Sequence, residues 1–381
     1  MSVTLTDTTT TREKRLPVLA DHGTPARRPA GASHLTDEQV AELGRELDEL
    51  RAGVMDSLGA DDASYIRSII QTQRMLEIGG RALLLGGRRP MAFAVGTGML
   101  ALAKILENME IGHNVIHGQW DWMRDPDIHS TTWEWDFVAP AAGWKHTHND
   151  LHHTYTNVLG KDRDVGYTVL RVSRDQPWRP RFLLNLPTNA LLAPFFEWGI
   201  ALYDLALDEV RAGTKSKAAL RADLKALGRK FARMVGKDYL GTPLIAQLFS
   251  RSGLAALAGT FAANTIRNIW AHTVIFCGHF PDEVESFSEE SIEGETRGDW
   301  YIRQMLGSAN LEGGRLFHIM TGNLSHQIEH HLFPDMPSNR YGEIAPTVRE
   351  ICERYGLGYT TGPLHRQITQ TWRSIARLSL P

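Results

Sequence analysis

The sequence predicts an all-α fold embedded in a membrane, and three observations predict it. Histidines recur at helical spacing in three short clusters. Four apolar stretches are interleaved with those clusters. Ahead of both, a capped amphipathic pattern opens a first helix.

Residues 1–34 are rich in Thr, Pro, Arg and Asp and lack the apolar core of a signal peptide. A disordered tail is expected there, leaving residues 35–381 as one domain. Thr36-Asp37-Glu38-Gln39 is a capping-box sequence, in which the first and last side chains satisfy free amides at a helix start. Val40, Leu43, Leu47 and Leu50 follow on one stripe, so a packing helix is predicted to about Arg51. Met91 to Ala103 carries no charge, and Phe182 to Leu207 is mostly apolar but holds Glu197 and Asp204. Leu240 to Ala263 has Arg251 as its one charge, and Asn264 to Phe280 has Arg267 near its start. None reaches about 20 uninterrupted apolar residues, and the mean hydropathy of −0.27 is low for a lipid-buried chain. Interleaving with the histidine clusters still favours membrane helices over soluble core helices. The embedded charges would then face the protein interior. Asp208 to Asp238, rich in Lys, Arg and Ala, is expected to be an exposed loop and helix on the cytoplasmic face, between two hairpins.

A formal net charge of −3 gives no reason to expect nucleic acid as a partner. Two cysteines, Cys277 and Cys352, are too few for a four-cysteine iron–sulfur cluster or structural zinc site, and they supply no disulfide framework.

The chemistry lies in the histidines. The clusters read HNVIH (His113, His117), HNDLHH (His148, His152, His153) and HQIEHH (His326, His330, His331), so eight of the 16 histidines fall in three boxes. Residues four apart share a helix face, so each His-x-x-x-His pair is expected to hold one metal from one side. The additional histidine points about 100° further round and is placed to reach a second metal. Neutral imidazole ligates iron, zinc, copper and nickel. Eight imidazoles exceed the needs of one ion, so a two-metal catalytic centre is predicted. Isolated His22, His34 and His365 are read as ordinary surface or core residues, and His129, His146 and His318 as candidates for supporting the ligands.

Other motifs compete. Gly96-Thr97-Gly98-Met99-Leu100-Ala101 matches a dinucleotide fingerprint, but no strand–turn–helix series surrounds it, and close helix packing explains it better. His326-Gln327-Ile328-Glu329-His330 fits the HxxEH pattern of a zinc metallopeptidase with Glu329 as general base. That alternative leaves the first two boxes without a role. His272 and His279, seven apart, share a helical face near the end of the last apolar stretch, and a ninth ligand is expected from there.

Beyond the boxes, long segments carry a family resemblance: ENMEIGHNVIHGQWDWMRDPDIHS from Glu107, FEWGIAL from Phe196, IFCGHFPD from Ile275, WYIRQMLGSAN from Trp300 and GNLSHQIEHHLFPDMPSNR from Gly322. From about Tyr65 onward the chain resembles the integral-membrane acyl-lipid and acyl-coenzyme A desaturases, in particular the actinobacterial NADPH-dependent stearoyl-coenzyme A Δ9 type. The resemblance implies four membrane helices under a cytosolic helical cap that holds a di-iron centre. It implies metal ligation by His113, His117, His148, His152, His153, His326, His330 and His331, with His279 rather than His272 as the ninth ligand. Two features depart from the pattern. The second box has three residues before its histidine pair where many relatives have two. The third box is similar to front-end desaturases, in which glutamine replaces the first histidine, and here both His326 and Gln327 are present. The haem motif HPGG of a fused cytochrome domain is absent, which favours the acyl-coenzyme A type.

An unactivated methylene has no acidic proton, so cutting its C–H bond takes a redox-active metal and O2; zinc is disfavoured. The implied reaction takes two electrons and O2, removes two hydrogens from neighbouring carbons of a long-chain acyl-coenzyme A or acyl-lipid, and yields a cis double bond and water. The electrons are expected from NADPH through a separate flavin and iron–sulfur reductase. A multi-pass protein of the cell membrane is expected, with its active site on the cytoplasmic side. An apolar tunnel is required beside the metals, and Trp120, Trp122, Trp133 and Trp135 are candidates for its walls or for interfacial anchors. Di-iron lipid hydroxylases share the box pattern, so a hydroxylase is the other open outcome.

Overall fold

The computed structural model describes residues 28–381. The tail expected over 1–34 lies outside the described residues except for 28–34, where Ala32 is buried and Arg28 bonds to Asp299 at 2.9 Å. Helix α1 (Asp37–Asp56) starts at the expected capping box: Thr36 Oγ1 accepts from the Gln39 amide at 3.3 Å, and Gln39 Oε1 accepts from the Thr36 amide at 2.9 Å. Such a cap contributes about 1 kcal/mol. The helix runs past Arg51 because Val54 continues the buried stripe of Val40, Leu43 and Leu47.

Helix α2 (Ala60–Leu85) was not foreseen. Asp61, Asp62, Arg67, Arg74, Glu77 and Arg81 dilute its hydropathy, so no apolar stretch marks it. It packs along α3 (Pro90–Leu106), and the approach is close at two glycines. A Cβ on Gly80 would lie 2.9 Å from the Gly96 carbonyl oxygen and 2.8 Å from the Leu100 nitrogen. The fingerprint-like run Gly96–Ala101 thus sits inside a helix and serves packing. The helical path continues through a π-helical segment, Glu107–His113, to Ile116. Among the described residues, Pro90–Ile116 is the one helix long and apolar enough to cross a membrane.

The other apolar stretches are divided differently from expectation. Phe182 to Leu207 becomes a helix pair, Pro180–Leu192 and Phe196–Ala212, bent by 118°. Its main pieces are α4 (Asn185–Leu192) and α5 (Phe196–Tyr203). The basic segment forms α6 (Lys217–Val235), as expected. The next two stretches do not part at Ala263. The break falls at Arg251, in the left-handed region (φ 56°), between α7 (Thr242–Ser250) and α8 (Gly253–His279). Arg267 therefore lies in mid-helix. It is fully buried, and its guanidinium meets Glu197 of α5 at 2.8 Å. Burying either charge alone would cost several kcal/mol, so the two helices are held in register by the pair.

The remaining chain forms α9 (Arg297–Leu306), the short strand β1 (Asn310–Glu312), α10 (Gln327–Leu332), α11 (Tyr341–Arg354), the strand β2 (Thr361–Pro363) and α12 (Leu364–Arg377). The two strands pair in parallel, and the described residues are otherwise mostly helical. Two large apolar cores result. One gathers Trp135, Trp144, Phe196 and Phe276; the other gathers Trp300, Ile328, Leu332 and Phe333. The second box is anchored in the first core by Trp144, and the third box in the second core by Ile328 and Leu332.

Candidate metal centre

Four separate segments deliver the histidines. His113 ends the π-helical segment after α3, and His117 lies one turn on. Gly112 carries no side chain because a Cβ would lie 2.7 Å from the Glu107 carbonyl oxygen and 2.8 Å from Trp135 Cβ. The second box lies in another π-helical segment, Lys145–His152, followed directly by His153. In a π-helix, as in an α-helix, residues four apart lie near one another on the same side. The His148 and His152 rings accordingly stack, with centroids 4.9 Å apart. His279 is the last residue of α8, and His330 and His331 lie on α10.

The imidazoles form two adjoining groups. His113, His117, His148 and His330 can converge on one ion, and His152, His279 and His331 on another. His153 sits between them: its ring is 4.6 Å from His117, 4.8 Å from His330 and 4.5 Å from His331. The division differs from the spacing argument. Only the first box gives both members of its pair to one all-imidazole group. His148 and His152 fall in different imidazole groups, although both also come together with Asp164, and the adjacent His330 and His331 fall in different groups.

The outer ring nitrogens are tied down. His152 Nδ1 meets Asp162 at 2.9 Å, His148 Nδ1 meets Asp164 at 3.1 Å, and His331 Nδ1 meets Gln304 Oε1 at 3.1 Å. His113 Nδ1 meets Asn114 Oδ1 at 2.9 Å, and His330 Nδ1 meets the Tyr341 hydroxyl at 3.2 Å. An acceptor at Nδ1 places the proton there and leaves the Nε2 lone pair facing inward, the arrangement that metal-ligating histidines use. His330 Nε2 is buried with no hydrogen-bond partner, a loss of about 1–3 kcal/mol that a metal bond would remove. Burial, reinforced by neighbouring imidazoles, holds His148, His153, His330 and His331 well below the usual histidine range, so these rings stay neutral. His152 is the exception: burial disfavours its charge, but Asp162 and Asp164 outweigh that and raise it. A set of neutral imidazoles and nearby carboxylates, dominated by nitrogen, fits a first-row transition metal.

His326 is placed apart. Its backbone (φ −103°, ψ 56°) precedes α10, and its ring stacks on His318 with centroids 4.5 Å apart. The neighbouring Gln327 points inward instead, with Nε2 2.9 Å from His279 Nε2. His272 is also outside the groups; its Nε2 meets Asn189 Oδ1 at 2.9 Å and its ring stacks on Phe276. His129 and His146 lie near the surface beside Asp121 and Asp150. Glu329 does not face the metal groups. It accepts from Asn310 and Tyr359, each at 2.8 Å, and burial raises its carboxyl to about 7. With His326 turned away and Glu329 fixed elsewhere, the HxxEH geometry of a peptidase is not formed.

A narrow apolar cavity abuts His113, His148, His152 and His279, with Trp135, Phe137, Tyr167, Phe196, Ile200 and Ile275 among its walls. Of the expected tryptophans, Trp135 lines it, whereas Trp120 is buried against Ile66 and Val115. Trp144 joins the wall unforeseen. The supporting residues Asp162, Asp164, Gln304 and Tyr341 were also unforeseen. The Asp162-Arg163-Asp164 run just past the second box was the available signal.

Residues 89–363 match the fatty acid desaturase family model. The chain belongs to that family. It is 50% identical over 353 residues, 92% of this chain and 82% of the relative, to a Mycobacterium tuberculosis NADPH-dependent stearoyl-CoA 9-desaturase. This desaturase-family chain is also 25% identical over 288 residues to the sn-1 linoleoyl-lipid 6-desaturase of Synechocystis sp., covering 72% of this chain and 77% of the relative. Identity to human Fatty acid desaturase 3 is 26% over 242 residues, 62% of this chain and 50% of the relative.

Proposed function

We propose that this protein introduces a cis double bond at the Δ9 position of stearoyl-coenzyme A, using O2 and two irons. The observation that carries the proposal is the pair of adjoining buried imidazole groups set against an apolar cavity. The ligands are His113, His117, His148 and His330 for one iron and His152, His279 and His331 for the other, with His153 placed to serve either. His326, expected in this set, is the least supported member, because its ring is directed toward His318.

The iron pair, when bound and reduced, supplies the O2 chemistry that breaks two unactivated C–H bonds. The chain's own residues do the placing. Asp162, Asp164, Gln304, Asn114 and Tyr341 fix the imidazole tautomers, so each ring presents a lone pair without reorganisation. Trp135, Phe137 and Phe196 hold the methylene pair and exclude water. No haem motif and only two cysteines are present, both buried, so electrons come from a separate NADPH reductase. Four membrane passages, with the cap and both irons on the cytoplasmic side, complete the proposal. Large exposed side chains support membrane contact outside the one clear span: Leu191 and Leu202 near the bent pair, and Leu248, Phe249 and Leu254 around the α7–α8 break, the last three 74–81% exposed.

The test is reconstitution. Detergent-purified protein, loaded with iron and supplied with NADPH, a flavin and iron–sulfur reductase and stearoyl-coenzyme A, should give oleoyl product by mass spectrometry. Hydroxystearate would instead identify a hydroxylase, and no turnover with any acyl-coenzyme A would remove the substrate assignment.

A further inference from the structure

Two other spaces adjoin the cavity at separate walls. One shares Asn157, His279 and Phe280 with it and carries Arg171, Arg174 and Arg377 against Asp282 and Glu285. The other shares only Thr147 and Asp204 with it. Beyond those two residues its wall includes the small residues Ala142, Gly143, Ala201 and Ala206, with Leu205, Leu227 and His146 beside them. Its charged residues are Glu209, Asp223 and Lys215, and Lys215 is already paired with Asp223 at 2.6 Å.

The partition between the cavity and this second space is one pair of side chains thick. Thr147 Oγ1 donates to Asp204 Oδ1 at 2.9 Å. Asp204 Oδ2 is buried with no partner. Gly143 adds nothing to the barrier, and even a Cβ there would meet Asp204 only at ordinary contact distance, 3.6 Å.

We infer that the Thr147–Asp204 pair is the stop for the methyl end of the acyl chain and sets the longest chain the cavity accepts. The inference rests on the acyl-coenzyme A reading above. Charge decides which end lies here. The coenzyme A headgroup is a polyanion; it is favoured beside Arg174 and Arg377, Arg171 being bonded to four backbone carbonyls, and disfavoured beside Glu209 and Asp223. An alkyl chain that passed this point would have to break the Thr147–Asp204 bond and bury the freed polar groups, which is unfavourable. The stop is therefore polar, while the room behind it is already open.

The test is a competition among C16, C18, C20 and C22 acyl-coenzyme A substrates in the reconstituted system, with products resolved by mass spectrometry. Asp204→Ala and Thr147→Ala should raise the ratio of C20 and C22 to C18 products several-fold. Thr147→Leu, which fills the cavity side of the pair, should shift the ratio toward C16. In all three the double bond should stay at carbon 9 counted from the carboxyl end. Metal content of each purified variant reports folding; if Asp204→Ala loses iron, the two Thr147 variants carry the test. An unchanged length ratio in the folded variants overturns the inference, and so does a raised KM for every chain length with no change of ratio, which would put the headgroup at Asp204. Failure of the wild type to turn over any acyl-coenzyme A is a different result and tells against the substrate class itself.

Discussion

The second and third boxes share a six-residue pattern, histidine, three spacers, two histidines, yet they are built differently. In the second box a π-helical segment runs through to His152, and His148, His152 and His153 all face the metal groups. In the third box a short 3-10 turn ends at His326 and an α-helix begins at Gln327, so the first histidine turns away and Gln327 stands beside His279. Identical spacing therefore does not give identical ligands. The local helix type decides which of the repeated residues reach the metal.

The sharpest way to break this comparison is to remove the corresponding first histidines. His148→Ala is expected to abolish activity and lower the bound metal, whereas His326→Ala should keep the metal near the wild-type level; equal losses in the two variants, measured by metal analysis, would erase the distinction. Next in size is the support behind the rings. Asp162→Asn, which removes the carboxylate bonded to His152 Nδ1 and leaves only Asp164 at 3.9 Å, is expected to weaken metal binding or activity about 10–100-fold. Gln327→Leu removes a single neutral contact to His279 and should cost less; an effect larger than that of Asp162→Asn in parallel metal titrations would promote Gln327 from neighbour to ligand.

Acidity affects the two boxes through their shared burial. His148, His153, His330 and His331 have folded pKa values below the unfolded value of about 6.5. Below that value the unfolded chain binds more protons than the folded one at these four rings, so stability falls as pH falls, while His152, raised by Asp162 and Asp164, offsets part of the loss. The metal-free protein should hold its melting temperature above about pH 6.5 and lose it progressively from there downward. A flat profile from pH 7.5 to 5 would mean that these rings are more hydrated than their burial implies.

The smallest effect repeats the lesson in another motif. Gly96 and Gly98 are equivalent letters in the fingerprint-like run, but the Gly96 carbonyl lies against Gly80 while Gly98 has nothing within 4 Å of where a Cβ would be. Gly80→Ala should destabilise by about 1–3 kcal/mol through overpacking, and Gly98→Ala should be neutral or stabilise by about 0.5–1 kcal/mol. Thermal shifts in detergent distinguish them.

The grouping of histidines was legible because eight of the 16 crowd into three short boxes and their spacing is local. The capping box at Thr36 and the helix over Lys217–Val235 were legible for the same reason. What stayed hidden depends on partners distant in sequence. Helix α2 is masked by charges that find counterions only in the fold, as Arg81 does with Asp238 at 2.8 Å. The break at Arg251 needs a left-handed residue that no glycine or proline announces at that position. The inward turn of Gln327 depends on His279 arriving from α8.

The gathering of imidazoles from four segments also fixes when the centre can be made. His113 and His331 are separated by most of the chain, and closing such a loop is entropically slow compared with forming any single helix. A growing chain on the ribosome would display the first two boxes long before α8 and α10 exist. Throughout that interval the first group lacks His330, and the second lacks both His279 and His331. Both imidazole groups are therefore complete only once α8 and α10 have docked against the earlier boxes.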